Sequence, residues 1–136
     1  MSKKPPVITY KARSLGIVAL VGAQIFIGTI HVFFGLLLLV YENPLFMGAT
    51  IVYDLYTIVF GLLTVLFAVF IWQGKTTGWI GTVAVSIFVI VADSLTLLDL
   101  PSIPGIPKFA GFGEITYSIL IIVYLFTHQV RKKYLG

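Results

Sequence analysis

Cysteine is absent from this 136-residue chain, and charged side chains make up only 10% of it. The first absence excludes a disulfide framework, thiolate metal ligation, an iron–sulfur cluster and a cysteine nucleophile. The second excludes an ordinary water-soluble fold, in which about a quarter of the residues are charged. Histidine is scarce, with 2 in the chain, and neither belongs to a His-x-x-x-His or Glu-x-x-His pair. Phosphate-binding loops, Gly-x-Gly-x-x-Gly fingerprints and Gly-x-Ser-x-Gly elbows are missing as well. The 6 prolines stay out of every long apolar run.

Hydrocarbon fills the chain instead: 59% of the residues are hydrophobic and the mean hydropathy is +1.06. Four stretches, 14–41, 49–73, 78–98 and 114–130, reach or approach the about 20 apolar residues that a bilayer crossing takes. Backbone N–H and C=O groups in hydrocarbon must be satisfied within the spanning structure, so these continuous, non-alternating runs read as helices and not as barrel strands. At ~1.5 Å per residue the first run reaches about 40 Å, so it has to tilt or protrude. That run is also too long for a signal peptide and lacks a cleavage site leading into a soluble domain, so it reads as an uncleaved span. The connections 42–48, 74–77 and 100–113 leave no room for a soluble domain. The expected fold is therefore an all-α membrane protein, one integral domain over 1–136 forming an antiparallel four-helix transmembrane bundle with short loops.

The net charge of +4 is a matter of topology. With four spans, 8 of the 9 basic residues (Lys3, Lys4, Lys11, Arg13, Lys75, Arg131, Lys132 and Lys133) fall on one side and Lys108 on the other. All 5 acids, Glu42, Asp54, Asp93, Asp99 and Glu114, fall in the opposite half. The positive-inside rule then places both termini in the cytoplasm of a multi-pass cell-membrane protein. Trp72, Trp79 and Tyr10 suit the inner interface, and Tyr41, Tyr53 and Phe112 the outer one. The run Arg131-Lys132-Lys133 reads as a topology anchor on lipid headgroups, and nucleic-acid binding has no support.

Small and polar residues mark the helix faces that meet protein inside lipid. Gln24, Gly28, His31 and Gly35 share one face of the first helix, and Asp54, Thr57, Gly61, Thr64 and Ala68 one face of the second. Gly78, Thr82, Ser86, Asp93 and Thr96 mark the third. Glu114, Tyr117, Ser118, Tyr124 and His128 mark the fourth over a wider arc. Glycines 22, 28 and 35 fit packing within the bundle better than a dimer interface. Pro101, Pro104 and Pro107 recur every third residue and suggest a stiff extended segment, resting through Ile103, Ile106, Phe109 and Phe112 on the bundle, lipid or a neighbour.

Depth adds a cluster. Counting the helical rise, His31 lies about 27 Å from Arg13, Asp54 about 27 Å from Trp72, Asp93 about 21 Å from Trp79, and Glu114 about 21 Å from His128. His31, Asp54, Asp93 and Glu114 thus share one slab, with Tyr53, Tyr56, Tyr117 and Asp99 near the same level. An ionisable group inside a span costs several kcal/mol unless paired, so at least one carboxylate–histidine or carboxylate–tyrosine contact is expected there. A metal is not expected, because one imidazole with scattered carboxylates is a poor match for a preorganised site; no cofactor and no catalytic residue are expected either. The leading expectation is a small non-catalytic subunit of a larger membrane complex, such as a respiratory oxidase or membrane monooxygenase, with the bilayer and other membrane subunits as partners. The alternative is a stand-alone bundle whose cluster binds a metal or passes protons or a small solute.

Overall fold

A computed structural model describes residues 14–41 and 48–136, the side chains of 48–50 excepted. Lys3, Lys4, Tyr10, Lys11, Arg13 and Glu42, which entered the charge and interface arguments, lie outside the described residues. The chain forms α1 (Leu15–Tyr41), α2 (Gly48–Trp72), α3 (Thr76–Leu97), α4 (Lys108–Leu125) and a short α5 (His128–Leu135). The first four are long and apolar enough to cross a membrane, and they make this a multi-pass all-α membrane bundle. α1 packs along α2, α2 on α3 and α3 on α4, whereas the α1 and α4 backbones stay apart. One end of the bundle carries the α2–α3 hairpin and α5; the other carries the 98–107 loop. Lys75, Arg131, Lys132 and Lys133 belong to the hairpin end, while Asp54, Asp93, Asp99 and Glu114 lie towards the loop end.

Three of the spans match the expected boundaries, and the fourth does not. α4 begins six residues earlier than expected, at Lys108, and stops at Leu125 instead of Val130. Pro107 is its N-cap, with φ −69°; proline suits a helix start, where a missing N–H costs nothing. The chain breaks at Phe126 and Thr127 and restarts as α5, so His128 leaves the polar stripe of α4 and is exposed. Residues 101–107 are bent and turned, with Gly105 at φ 90°, and do not form a straight rod. Ile106 is buried and Ser102 Oγ donates to the Ala92 carbonyl at 2.7 Å, but Phe109 and Phe112 face outwards.

The two ends are built differently. At the hairpin end Ile17, Leu20, Val21, Ala68, Ile71, Trp79, Val83, Ile121 and Leu125 form a closed apolar core, joined by Val130 and Tyr134 of α5. Helix-terminal carbonyls there lack their regular intrahelical donors; the turn at Gly74 supplies one backbone N–H to Ile71 O, and side chains reach two of these carbonyls. Trp79 Nε1 donates to Leu125 O at 3.0 Å, and the Tyr134 hydroxyl donates to Ile71 O at 2.8 Å. Trp79 is therefore a core residue, 7% exposed, and not the interfacial anchor expected of it; Trp72, 40% exposed, fits that role. Gly74, at φ 75°, makes the left-handed turn that ends α2.

α1 and α2 are drawn together by glycine. A Cβ at Gly28 would lie 2.7 Å from Gly61 O, and one at Gly61 would lie 2.5 Å from Gly28 O. Only residues without side chains allow backbones this close. Gly35 repeats the arrangement against Ile58 and the Asp54 carbonyl, whereas a Cβ at Gly22 meets nothing within 4 Å. Thus Gly28 and Gly35 serve packing inside the bundle.

Candidate functional site

The glycine seam fixes the rotation of α1, and with it the direction of His31. Gln24, Gly28 and Gly35 are buried on the same stripe. Gln24 crosses the bundle, its Nε2 donating to Thr82 Oγ1 of α3 at 3.2 Å. His31, one turn beyond Gly28, comes out on the side of α1 that faces α4. There its Nε2 lies 3.1 Å from Glu114 Oε1. The expected carboxylate–histidine contact is present, and it bridges α1 and α4, whose backbones stay apart.

The proton count of this pair follows from its geometry. His31 Nδ1 lies 2.7 Å from the Ile27 carbonyl. A carbonyl only accepts, so Nδ1 carries hydrogen. Nε2 then shares one further proton with the carboxyl group, either as imidazolium with carboxylate or as imidazole with carboxylic acid. Both arrangements are neutral overall, so the pair is tolerable at this depth. Its two side chains are 20% and 21% exposed, and Phe60 stands edge-on to the imidazole with centroids 4.9 Å apart.

Behind Glu114 lies Asp93, fully buried on α3 at 0% exposure. It packs on α4 where glycine leaves room, a Cβ at Gly111 falling 3.5 Å from the Asp93 Cβ. Its carboxyl oxygens are sealed from solvent, and the neighbouring Glu114 carboxyl interacts with it both by charge and by a side-chain hydrogen bond. Tyr53 on α2 lies within electrostatic reach of Glu114, Asp54 and Asp93. Asp54 itself is 1% exposed on α2. Tyr56 lies within reach of Asp93 and Glu114 and stacks on Phe60 with centroids 6.2 Å apart. The Tyr117 hydroxyl of α4 is buried without a hydrogen-bond partner among the described residues. The slab is thus assembled from all four spans. Asp99 stands apart: it is exposed on the loop and pairs with Lys108 Nζ at 2.6 Å.

Where α1 and α4 separate, a groove of about 330 Å³ opens. Ile27, Ile30, His31 and Phe34 form one wall; Tyr53, Thr57 and Phe60 of α2 form its back; Ala110, Gly113, Glu114, Tyr117 and Ser118 of α4 form the other wall. Mainly apolar walls with a few convergent polar groups, set between helices of a bundle, are the usual composition of a small-molecule site. Towards the hairpin end it gives way to a polar layer around Gln24, Thr64, Thr82, Ser86 and Ser118, enclosing a void of about 10 Å³. That space admits at most about one water. Beyond it lies the apolar core. The arrangement is a groove between α1 and α4 that gives way, towards the hairpin end, to packed core.

Ala110 and Gly113 escaped the sequence argument because the fourth span was started at Glu114. Pro107, followed by an apolar stretch, was the signal that a helix begins there. Among the described residues no three His, Asp or Glu side chains converge to hold a metal ion. Comparison of the chain with family models, curated proteins and solved structures gives no match.

Proposed function

We propose that this multi-pass membrane protein binds a small lipid-soluble molecule in the groove between α1 and α4, without catalysing a reaction on it. The observation that carries this reading is the groove itself, about 330 Å³ in volume and lined by His31, Glu114, Tyr53 and Tyr117 among apolar side chains. Its opening lies between two membrane-spanning helices, so a ligand enters from the hydrocarbon, as only a lipophile can. His31 and Glu114 are occupied with each other. The orientation that suits the basic hairpin end is cytoplasmic, with the groove in the outer leaflet. A cysteine at exposed Pro104 would then react with an impermeant reagent from outside and one at Thr76 would not; the reverse labelling would overturn the orientation.

Saturable photolabelling tests the binding reading. A panel of diazirine-bearing lipophiles, neutral and charged, is crosslinked in membranes and the adducts are mapped. Competable adducts concentrated on Ile30, Phe34 and Ala110 support it. Adducts spread evenly over lipid-facing residues such as Leu62 and Val69 would sink it.

A second reading, the non-catalytic subunit of a larger membrane complex, is favoured by the same open seam. α1 is 27 residues long and has only 17% of its spanning window buried, leaving a wide face for a partner helix. Gentle solubilisation followed by native mass spectrometry separates the two. A single small species with bound ligand supports the first reading, and comigration with large membrane proteins the second.

A further inference from the structure

We propose that the polar layer on the hairpin side of the groove is a binding site for one water molecule, which bridges Gln24 of α1 to Tyr117 of α4. This water is independent of whatever occupies the groove. Two buried atoms call for it. Gln24 is 2% exposed and its Nε2 donates to Thr82 Oγ1, but its Oε1 has no hydrogen-bond partner among the described residues. The Tyr117 hydroxyl is buried in the same condition. The first is an acceptor lacking a donor, and the second has a proton to give and no acceptor. Polar groups buried in this way are costly, the more so in a bundle surrounded by lipid. The two do not bond each other, so satisfying both takes a third group that donates and accepts at once. Water does so.

The room for it is there as well. Gln24 and Tyr117 both line the void of about 10 Å³, roughly the space that one water takes. Thr64, Thr82, Ser86 and Ser118 line it too, each at most 5% exposed. Thr64 Oγ1 donates to Phe60 O at 2.8 Å and still has a lone pair to offer. A buried water makes about three hydrogen bonds, and this layer surrounds the void with polar groups from all four spans.

The chemistry of the lining selects water over an ion. Every polar side chain around the void is an uncharged amide or hydroxyl, and an ion without a counter-charge inside a span is expensive. Position gives the water a structural role. Gln24 lies ~10 Å below His31 along α1, so the water joins α1 to α4 at a second level, while their backbones stay apart.

Water-edited solid-state NMR on the isotopically labelled full chain in lipid bilayers tests the site, because polarisation passes only to nuclei close to water. The expected result is rapid transfer to the Gln24 side-chain amide and none to Ala68, which is 0% exposed in the apolar core. Tyr117→Phe removes one partner, keeps the ring, and should weaken the Gln24 signal. Ser86→Val fills the void with hydrocarbon and should abolish it, with an unchanged Ala68 resonance showing that the core holds. A wild-type protein with no transfer to Gln24 would overturn the proposal. Transfer that persists undiminished in both variants would overturn it too, since water would then reach Gln24 from elsewhere. A melting temperature that rises with sodium but not with choline at equal ionic strength would replace the water by a bound cation.

Discussion

α1 meets its neighbours in opposite ways along a single stripe. Towards α2, Gly28 and Gly35 let the backbones approach until carbonyl oxygens fill the positions of absent side chains. Towards α4, the backbones stay apart; side chains meet in the apolar core at the hairpin end, and at the level of the groove His31 reaches across to Glu114. Small residues alone do not account for the difference, because α4 also presents Ala110 and Gly113 to the gap. What differs is the long polar pair. Two side chains held end to end at hydrogen-bond distance act as a strut, keeping the helices separated where glycine would otherwise allow them to close. Lipid does not drive helices together as water would, so such contacts decide which seams shut.

The largest expected effect is therefore on the closed seam. Gly61→Leu places a side chain where Gly28 O and Val32 already lie, and overpacking of this kind costs about 3 kcal/mol or more when backbone stands in the way. Leu66→Ala removes a lipid-facing side chain that is 43% exposed and should cost under about 1 kcal/mol. Thermal melting of both variants in mild detergent provides the comparison. Similar melting temperatures would show that the seam is not close-packed.

This contrast was partly legible in the sequence. The stripes of α1, α2 and α3 follow from helical spacing alone, and Gln24, Gly28, Asp54, Thr57, Gly61, Thr64, Ala68, Thr82, Ser86 and Asp93 are all buried where that spacing puts them. Depth arithmetic also placed His31 and Glu114 at one level. It could not say which helices are neighbours, since rise measures height and not position around the bundle. The fourth span failed for a different reason. Lys108 and the two glycines at 111 and 113 lowered the apparent hydropathy of its first turns, and helical geometry continued smoothly past Leu125 on paper. The break at Thr127 and the docking of Tyr134 on the α2–α3 hairpin are tertiary facts, written in contacts 58 and 63 residues apart.

The open seam should show a smaller, cooperative effect. If His31 and Glu114 act as one unit, replacing both by alanine costs less than the sum of the single replacements. A double-mutant cycle in mixed micelles should return a coupling of about 1–2 kcal/mol, the upper range for side-chain hydrogen bonds within membranes. Leaving either partner alone at this depth is the expensive state, so each single variant should be less stable than the double variant would suggest. Coupling indistinguishable from zero would remove the strut and the explanation of the groove with it.

The smallest effect should come from repeating the disruptive change on the other side of α1. Gly113→Leu is the same substitution as Gly61→Leu, again a spanning glycine replaced by leucine, but it faces the gap. No atom of the described residues lies within 4 Å of the new Cβ, and leucine is favoured over glycine in a helix interior by up to about 1 kcal/mol. The melting temperature should hold steady or rise slightly, while the groove loses volume. A melting temperature depressed as far as that of Gly61→Leu would mean that α1 and α4 approach each other in the membrane as closely as α1 and α2 do. The difference between the two substitutions therefore measures how open the seam is, independently of any ligand.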